Sequence, residues 1–173
     1  GPYENLWVDG GGVAGSAKAL TGSTIIGDSL VLDANLSANG FDIAIAGNWY
    51  LQAGSGNAFI PTTAMVEFNG TSPQHIAGTE PTQFHNLNLN NATGEVILAA
   101  SSAEVAGDLL LSGNRFVVGD HELILEPATT ITAETGFSTT EMIQLNAAGT
   151  LTQRLASATL SKTYPIGNAG AYA

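Results

Sequence analysis

The chain has 173 residues, a formal charge of −11 from 4 Lys and Arg against 15 Asp and Glu, and no cysteine. A chain of this length makes one domain and can bury a core without a membrane, and no run approaches the ~18 consecutive apolar residues of a membrane span. The cations Lys18, Arg115, Arg154 and Lys162 are scattered, so no basic stripe exists for nucleic acid or an anionic membrane, and disulfide scaffolds and thiolate sites are excluded.

Charged residues form 11% of the chain, well under the ~25% of an average soluble domain. Glycine fills 21 positions along the whole length, each costing a helix interior about 1 kcal/mol relative to Ala. In chain order the apolar residues come in pairs two apart: Leu30 and Leu32, Ile43 and Ile45, Leu87 and Leu89, Leu109 and Leu111, Leu123 and Leu125, Ile143 and Leu145. Such pairs share one face of a strand. Between them lie turn signals, among them Asp9-Gly10, Gly27-Asp28, Asn39-Gly40, Asn69-Gly70, Gly107-Asp108, Gly113-Asn114 and Gly119-Asp120. The pattern predicts an all-β chain of many short strands. Residues 1–2, Gly-Pro, read as the scar of a cleaved tag on an excised fragment.

An internal repeat organises these strands. Ile25 to Ile45 matches Val105 to Leu125 with the Gly-Asp pairs 80 positions apart, and Tyr3 to Asp9 matches Phe84 to Asn90 at a spacing of 81. The division is a first unit over 3–83, a second over 84–164 that diverges after about Glu126, and an end segment over 165–173, all within one structural domain. Val105 to Leu125 spans 20 residues, the length of one coil of three short strands. The expected architecture is a right-handed parallel β-helix, with Leu, Ile, Val and Ala inward, Thr and Asn in ladders, and Asn, Asp and Gly at the corners. An antiparallel β-sandwich is the alternative.

Several strings carry a resemblance: Gly47-Asn48-Trp49, Val66-Glu67-Phe68-Asn69-Gly70-Thr71, Gln74-His75-Ile76-Ala77-Gly78, Phe84-His85-Asn86-Leu87-Asn88-Leu89-Asn90, Val105-Ala106-Gly107-Asp108-Leu109 and Tyr164-Pro165-Ile166-Gly167. They resemble the repeats of very large secreted and surface-anchored bacterial proteins, including adhesin-like cargo of the type IX secretion route. The resemblance covers nearly the whole chain. It implies a β-helical stalk or adhesive surface, outside the cell or on its surface, and it supplies no catalytic residues.

His75, His85 and His121 show no zinc spacing and read as surface or turn residues. Asp42, Glu67, Glu95, Glu104 and Glu122 face out of predicted strands, where acids could act on a polysaccharide, but so few cations give no electropositive cleft for an anionic one. No metal site is expected. Calcium, a hard cation suited to turn carboxylates, would use Asp28 and Asp108. The Gly10-Gly11-Gly12 run lacks the Lys-Ser/Thr of a phosphate loop and reads as a turn. For a ligand, Trp7 and Tyr50 are the candidate sugar-stacking residues. Alternation lets only one of Trp49 and Tyr50 point outward, and Trp49 reads as core.

The reading is a non-enzymatic structural or adhesive module needing no cofactor. Its alternatives are a carbohydrate-binding module and a polysaccharide-degrading enzyme. Expected partners are surface glycans or other cell-surface proteins, with end-to-end self-association through unpaired strand edges, and neither nucleic acid nor membrane insertion.

Overall fold

A strand of two to five residues with one apolar stripe cannot stand alone; it needs paired neighbours on both edges and something to pack against. A computed structural model of the chain, describing residues 2–10, 17–52, 59–146, 148–156 and 162–172, shows how both needs are met. The chain coils, and each strand pairs with its counterpart one turn later, giving an all-β solenoid of about 7 turns.

The first turn holds β1 (Leu6–Val8), β2 (Lys18–Ala19) and β3 (Thr24–Ile26), one on each of three faces, I, II and III. The second holds β4 (Leu30–Leu32), β5 (Leu36–Ser37) and β6 (Ile43–Ile45), and the third β7 (Trp49–Leu51), β8 (Phe59–Ile60) and β9 (Met65–Phe68). Next come β10 (Gln74–Gly78), β11 (Thr82–Phe84) and β12 (Asn86–Leu89), then β13 (Glu95–Leu98), β14 (Ala103–Val105) and β15 (Asp108–Leu111). The sixth turn is β16 (Arg115–Gly119), β17 (Glu122–Leu125) and β18 (Thr130–Ala133). After β19 (Ile143–Leu145) and β20 (Thr150–Gln153), β21 (Ile166–Asn168) returns to face I and β22 (Ala171–Tyr172) folds back on it.

Face I is one continuous ladder, β1-β4-β7-β10-β13-β16-β19-β21-β22, and face III runs β3-β6-β9-β12-β15-β18. Face II is split into β2-β5-β8 and β11-β14-β17-β20. Among the described residues every strand pairing is parallel except β21 with β22, so the sandwich alternative falls away. Turn length varies: Leu30 pairs with Trp49, 19 residues on, whereas Trp49 pairs with Ile76 and Phe116 with Ile143, each 27 on. The excess is absorbed at corners, which leaves the register of the faces intact.

The two matched stretches of the sequence each make one turn. Ile26 pairs with Ile45 on face III, and Val105 pairs with Leu125 on face II. The offset of 80 therefore matches strands on different faces, and it sets buried Leu30 against the outward Leu110. What recurs is the strand-and-corner pattern rather than a place in the turn.

The core is a column of inward side chains. Leu30, Trp49 and Ile76 stack in register beneath face I, while Leu87, Leu109 and Leu123 fill the later turns. Where face II is split, four rings gather. Trp49 meets Phe59 and Phe84 edge-on at centroid distances of 4.8 and 5.3 Å, and Phe84 meets Phe68 at 6.4 Å, geometries that suit the ring quadrupole. The Trp49 indole N–H donates to Thr82 Oγ1 at 3.2 Å, so its one polar atom is satisfied in the dry interior.

The two ends differ. At the last turn Lys162 Nζ donates to the carbonyls of Pro127 and Thr129 at 3.0 and 3.1 Å, Tyr164 packs on the core, and β22 covers the face I edge. At the first turn the segment at Tyr3 bridges to Ile26 on face III, while β1 and β2 end their ladders.

Candidate functional site

Corner residues of this fold are held by side chains reaching from one turn to the next. Asn5 Oδ1 accepts from Ser29 N–H at 3.1 Å, Ser29 Oγ accepts from Asn48 N–H at 3.2 Å, and Asn48 Oδ1 accepts from His75 N–H at 2.8 Å. This ladder lines the corner leading into face I. Gly47 belongs to the same corner because a Cβ there would lie 2.5 Å from the Asp28 backbone.

In the later turns a buried polar spine extends along the solenoid near this corner. Gln74 accepts from Gly70 N–H at 2.8 Å and donates to the carbonyls of Ile45 and Gly47 at 2.9 and 2.6 Å. Asn91 donates to Gln74 Oε1 at 2.8 Å, and its own N–H donates to Asn114 Oδ1 at 3.1 Å. Glu141 ends the spine: its carboxylate accepts from the N–H groups of Gly113 and Glu134, both at 2.9 Å, from Thr135 N–H at 3.1 Å, and from the Thr135 hydroxyl. Burial by itself pushes the Glu141 carboxyl up, but these hydrogen bonds outweigh it and hold it below its ordinary value. Sequence reasoning missed both Gln74 and Glu141. Their signal was phase: each lies two residues before an inward Ile, Ile76 and Ile143.

Trp7 and Tyr50 are brought together on face I. Trp7 pairs with Val31 and Val31 with Tyr50, so the three form one outward row across β1, β4 and β7. Trp7 is 67% exposed and Tyr50 half-buried, whereas Trp49 is 0% exposed, the in-and-out division that alternation predicts. Each ring is tethered at its polar atom. Trp7 Nε1 donates to Asp33 Oδ2 at 2.7 Å, and Tyr50 Oη accepts from Asn48 Nδ2 at 3.2 Å. Beside this row the first turn leaves an open hollow of about 820 Å³, lined in part by Tyr3, Leu6, Trp7, Lys18 and Thr24.

The outward acids do not converge. Asp42 and Glu67 belong to face III, Glu95 to face I, and Glu104 and Glu122 to face II. Each holds a neighbouring turn: Asp42 Oδ1 accepts from Met65 N–H at 2.8 Å, Glu67 from Asn90 Nδ2 at 3.0 Å, and Glu104 from Gln83 Nε2 at 3.1 Å. Glu95 pairs with Arg115, and Glu122 accepts from the Thr152 hydroxyl. Arg154 bridges Glu126 and Glu104, and these two acids raise its guanidinium above the ordinary value.

Asp28 and Asp108, the calcium candidates, are more than three turns apart, Asp28 at the corner before β4 and Asp108 at the start of β15. Asp28 accepts from the Ser29 hydroxyl and Asp108 from the Thr130 hydroxyl. Among the described residues no three His, Asp or Glu gather in a way that could hold a metal ion. His75, His85 and His121 are half-buried and separate. The last two residues of Gly10-Gly11-Gly12 lie outside the described residues.

No protein family, curated protein or solved structure matches the chain. The class rests on its own geometry: a parallel β-solenoid.

Proposed function

We propose that the chain is a non-enzymatic structural and adhesive module, a stiff β-solenoid segment of a bacterial protein that works outside the cell or on its surface. One observation carries this reading: the ladder of face I is unbroken over the length of the molecule, and the polar side chains between turns spend their hydrogen bonds holding one turn to the next. Such a body is quasi-one-dimensional, each turn leaning only on its neighbours, and its backbone bonds lie along the axis, where they share a load. The acidic exterior keeps neighbouring copies apart by repulsion. The repeat strings that resemble secreted and surface-anchored adhesin-like proteins support the location.

The test is mechanical and chemical. Pulled by its two termini in a single-molecule instrument, the chain should resist and then release in steps of about one turn; smooth extension at negligible force would sink the spacer role. Incubated with neutral and anionic polysaccharides, it should release no reducing ends and no unsaturated products. Cleavage abolished by changing outward acids would replace this reading with the enzymatic one.

A further inference from the structure

We propose that face I of the first three turns binds a neutral β-1,4-linked polysaccharide, with Trp7 and Tyr50 as its two stacking platforms. This rests on the adhesive part of the reading above and is independent of the mechanical part. Trp7 and Tyr50 occupy one register row with Val31 between them, and neighbouring strands of a sheet lie about 4.8 Å apart, which places the two ring attachments about 9.6 Å apart. In an extended β-1,4-linked chain each sugar is turned over relative to the last, so the same pyranose face returns at every second sugar. Two rungs of the solenoid set the ring attachments at closely that repeat, and Val31 lies between them under the intervening sugar.

The rings are set before any ligand arrives. Asp33 fixes the indole edge at 2.7 Å and Asn48 the phenol oxygen at 3.2 Å. Asp33 follows β4 and Asn48 precedes β7, so Trp7 leans towards one end of the strands and Tyr50 towards the other, and the line joining them crosses Val31 obliquely. A rigid aromatic with few rotatable bonds loses little entropy on binding.

Charge selects the class of glycan. The carboxylate of Asp33 touches the platform, none of the four cations lies on β1, β4 or β7, Lys18 lining the hollow beside Trp7, and the chain as a whole carries −11. A uronic-acid polymer or an acidic protein is repelled from this face, and a second copy would bring Asp33 against its own equivalent. A neutral sugar chain meets apolar rings with hydroxyl-accepting groups beside them, the arrangement of a sugar site.

The experiment is native gel electrophoresis through hydroxyethylcellulose, with polygalacturonate in a parallel gel. Retardation is expected in the first and none in the second. Trp7→Ala and Tyr50→Ala should each weaken retardation about tenfold or more, the scale of losing one aromatic anchor, while Tyr50→Phe keeps most of it. Val31→Lys, which leaves the core untouched, should abolish binding with unchanged melting. In the unaltered protein, cellohexaose should shield Trp7 from acrylamide while buried Trp49 stays dark to the quencher throughout. The assignment is overturned by absence of retardation, by retardation that survives all three disruptive changes, by stronger retention in polygalacturonate, or by unshielded Trp7. Survival of binding in the three variants would leave an adhesive surface elsewhere on the molecule and remove only this site.

Discussion

Glu141 is a carboxylate with no cation paired to it among the described residues, kept ionised by three backbone N–H groups and a hydroxyl. Its folded value lies below the ordinary one, so the stability it contributes is present above the ordinary carboxylate range and drains away as the pH falls through the lowered value. Thermal melts between neutral and strongly acid pH should show this loss, and Glu141→Gln, whose amide points a donor at donors, should be less stable at neutral pH by about 1–3 kcal/mol with a flatter acid limb. Gly78 is the second exacting position. Its φ of +127° suits glycine, and a Cβ would come within 2.1 Å of the Leu51 carbonyl oxygen. Gly78→Ala should cost more than the ordinary Gly-to-Ala effect, about 2 kcal/mol or above, as read from denaturant midpoints. At this scale the alternation of Trp49 and Tyr50 was fully legible. The burial of Gln74 and Glu141 was not, because residue type argued for the surface and only their phase with Ile76 and Ile143 argued against it. Asn39-Gly40 was legible as a turn, with φ of 53° and 81°, yet this strong hairpin signal makes a corner between parallel ladders.

Among the elements, the third and fourth turns hold the ring cluster that replaces a continuous face II. Trp49→Ala should cost about 3–5 kcal/mol, since rungs tied through faces I and III cannot collapse into the void. Trp49→Phe should keep much of the packing while leaving a smaller void and taking the donor from buried Thr82, about 1–3 kcal/mol. Chemical denaturation of the two variants side by side decides this; equal losses would mean that the Thr82 bond, not the ring cluster, matters. One coil length was readable because Val105 to Leu125 is a true rung-to-rung pair. The variation between 19 and 27 residues was not, because a corner can lengthen without disturbing the strands it joins. The same freedom lets similar strand-corner strings recur on different faces, which is why an offset of 80 residues does not mark an integral number of turns.

For the molecule as a whole, charge and shape set behaviour. With a net charge of −11, self-repulsion opposes the folded state and salt should screen it. Melting should therefore rise with sodium chloride up to a few hundred millimolar. Calcium at matched ionic strength should add nothing further, because Asp28 and Asp108 are more than three turns apart; a saturable calcium-specific rise would show a site that the separate positions of these acids do not suggest.

The last strand has a consequence for assembly. Since β22 travels against the current of every other strand, it presents the final rung of face I in a sense that an incoming parallel rung does not match, rather as a zip is stopped by a crosswise tooth. A copy arriving in single file would therefore meet β22 antiparallel, out of keeping with the parallel ladder behind it. Sedimentation at rising protein concentration measures what this reversal does: a plateau at two molecules is expected if it deters single-file joining, and continued growth would show that pairing passes β22.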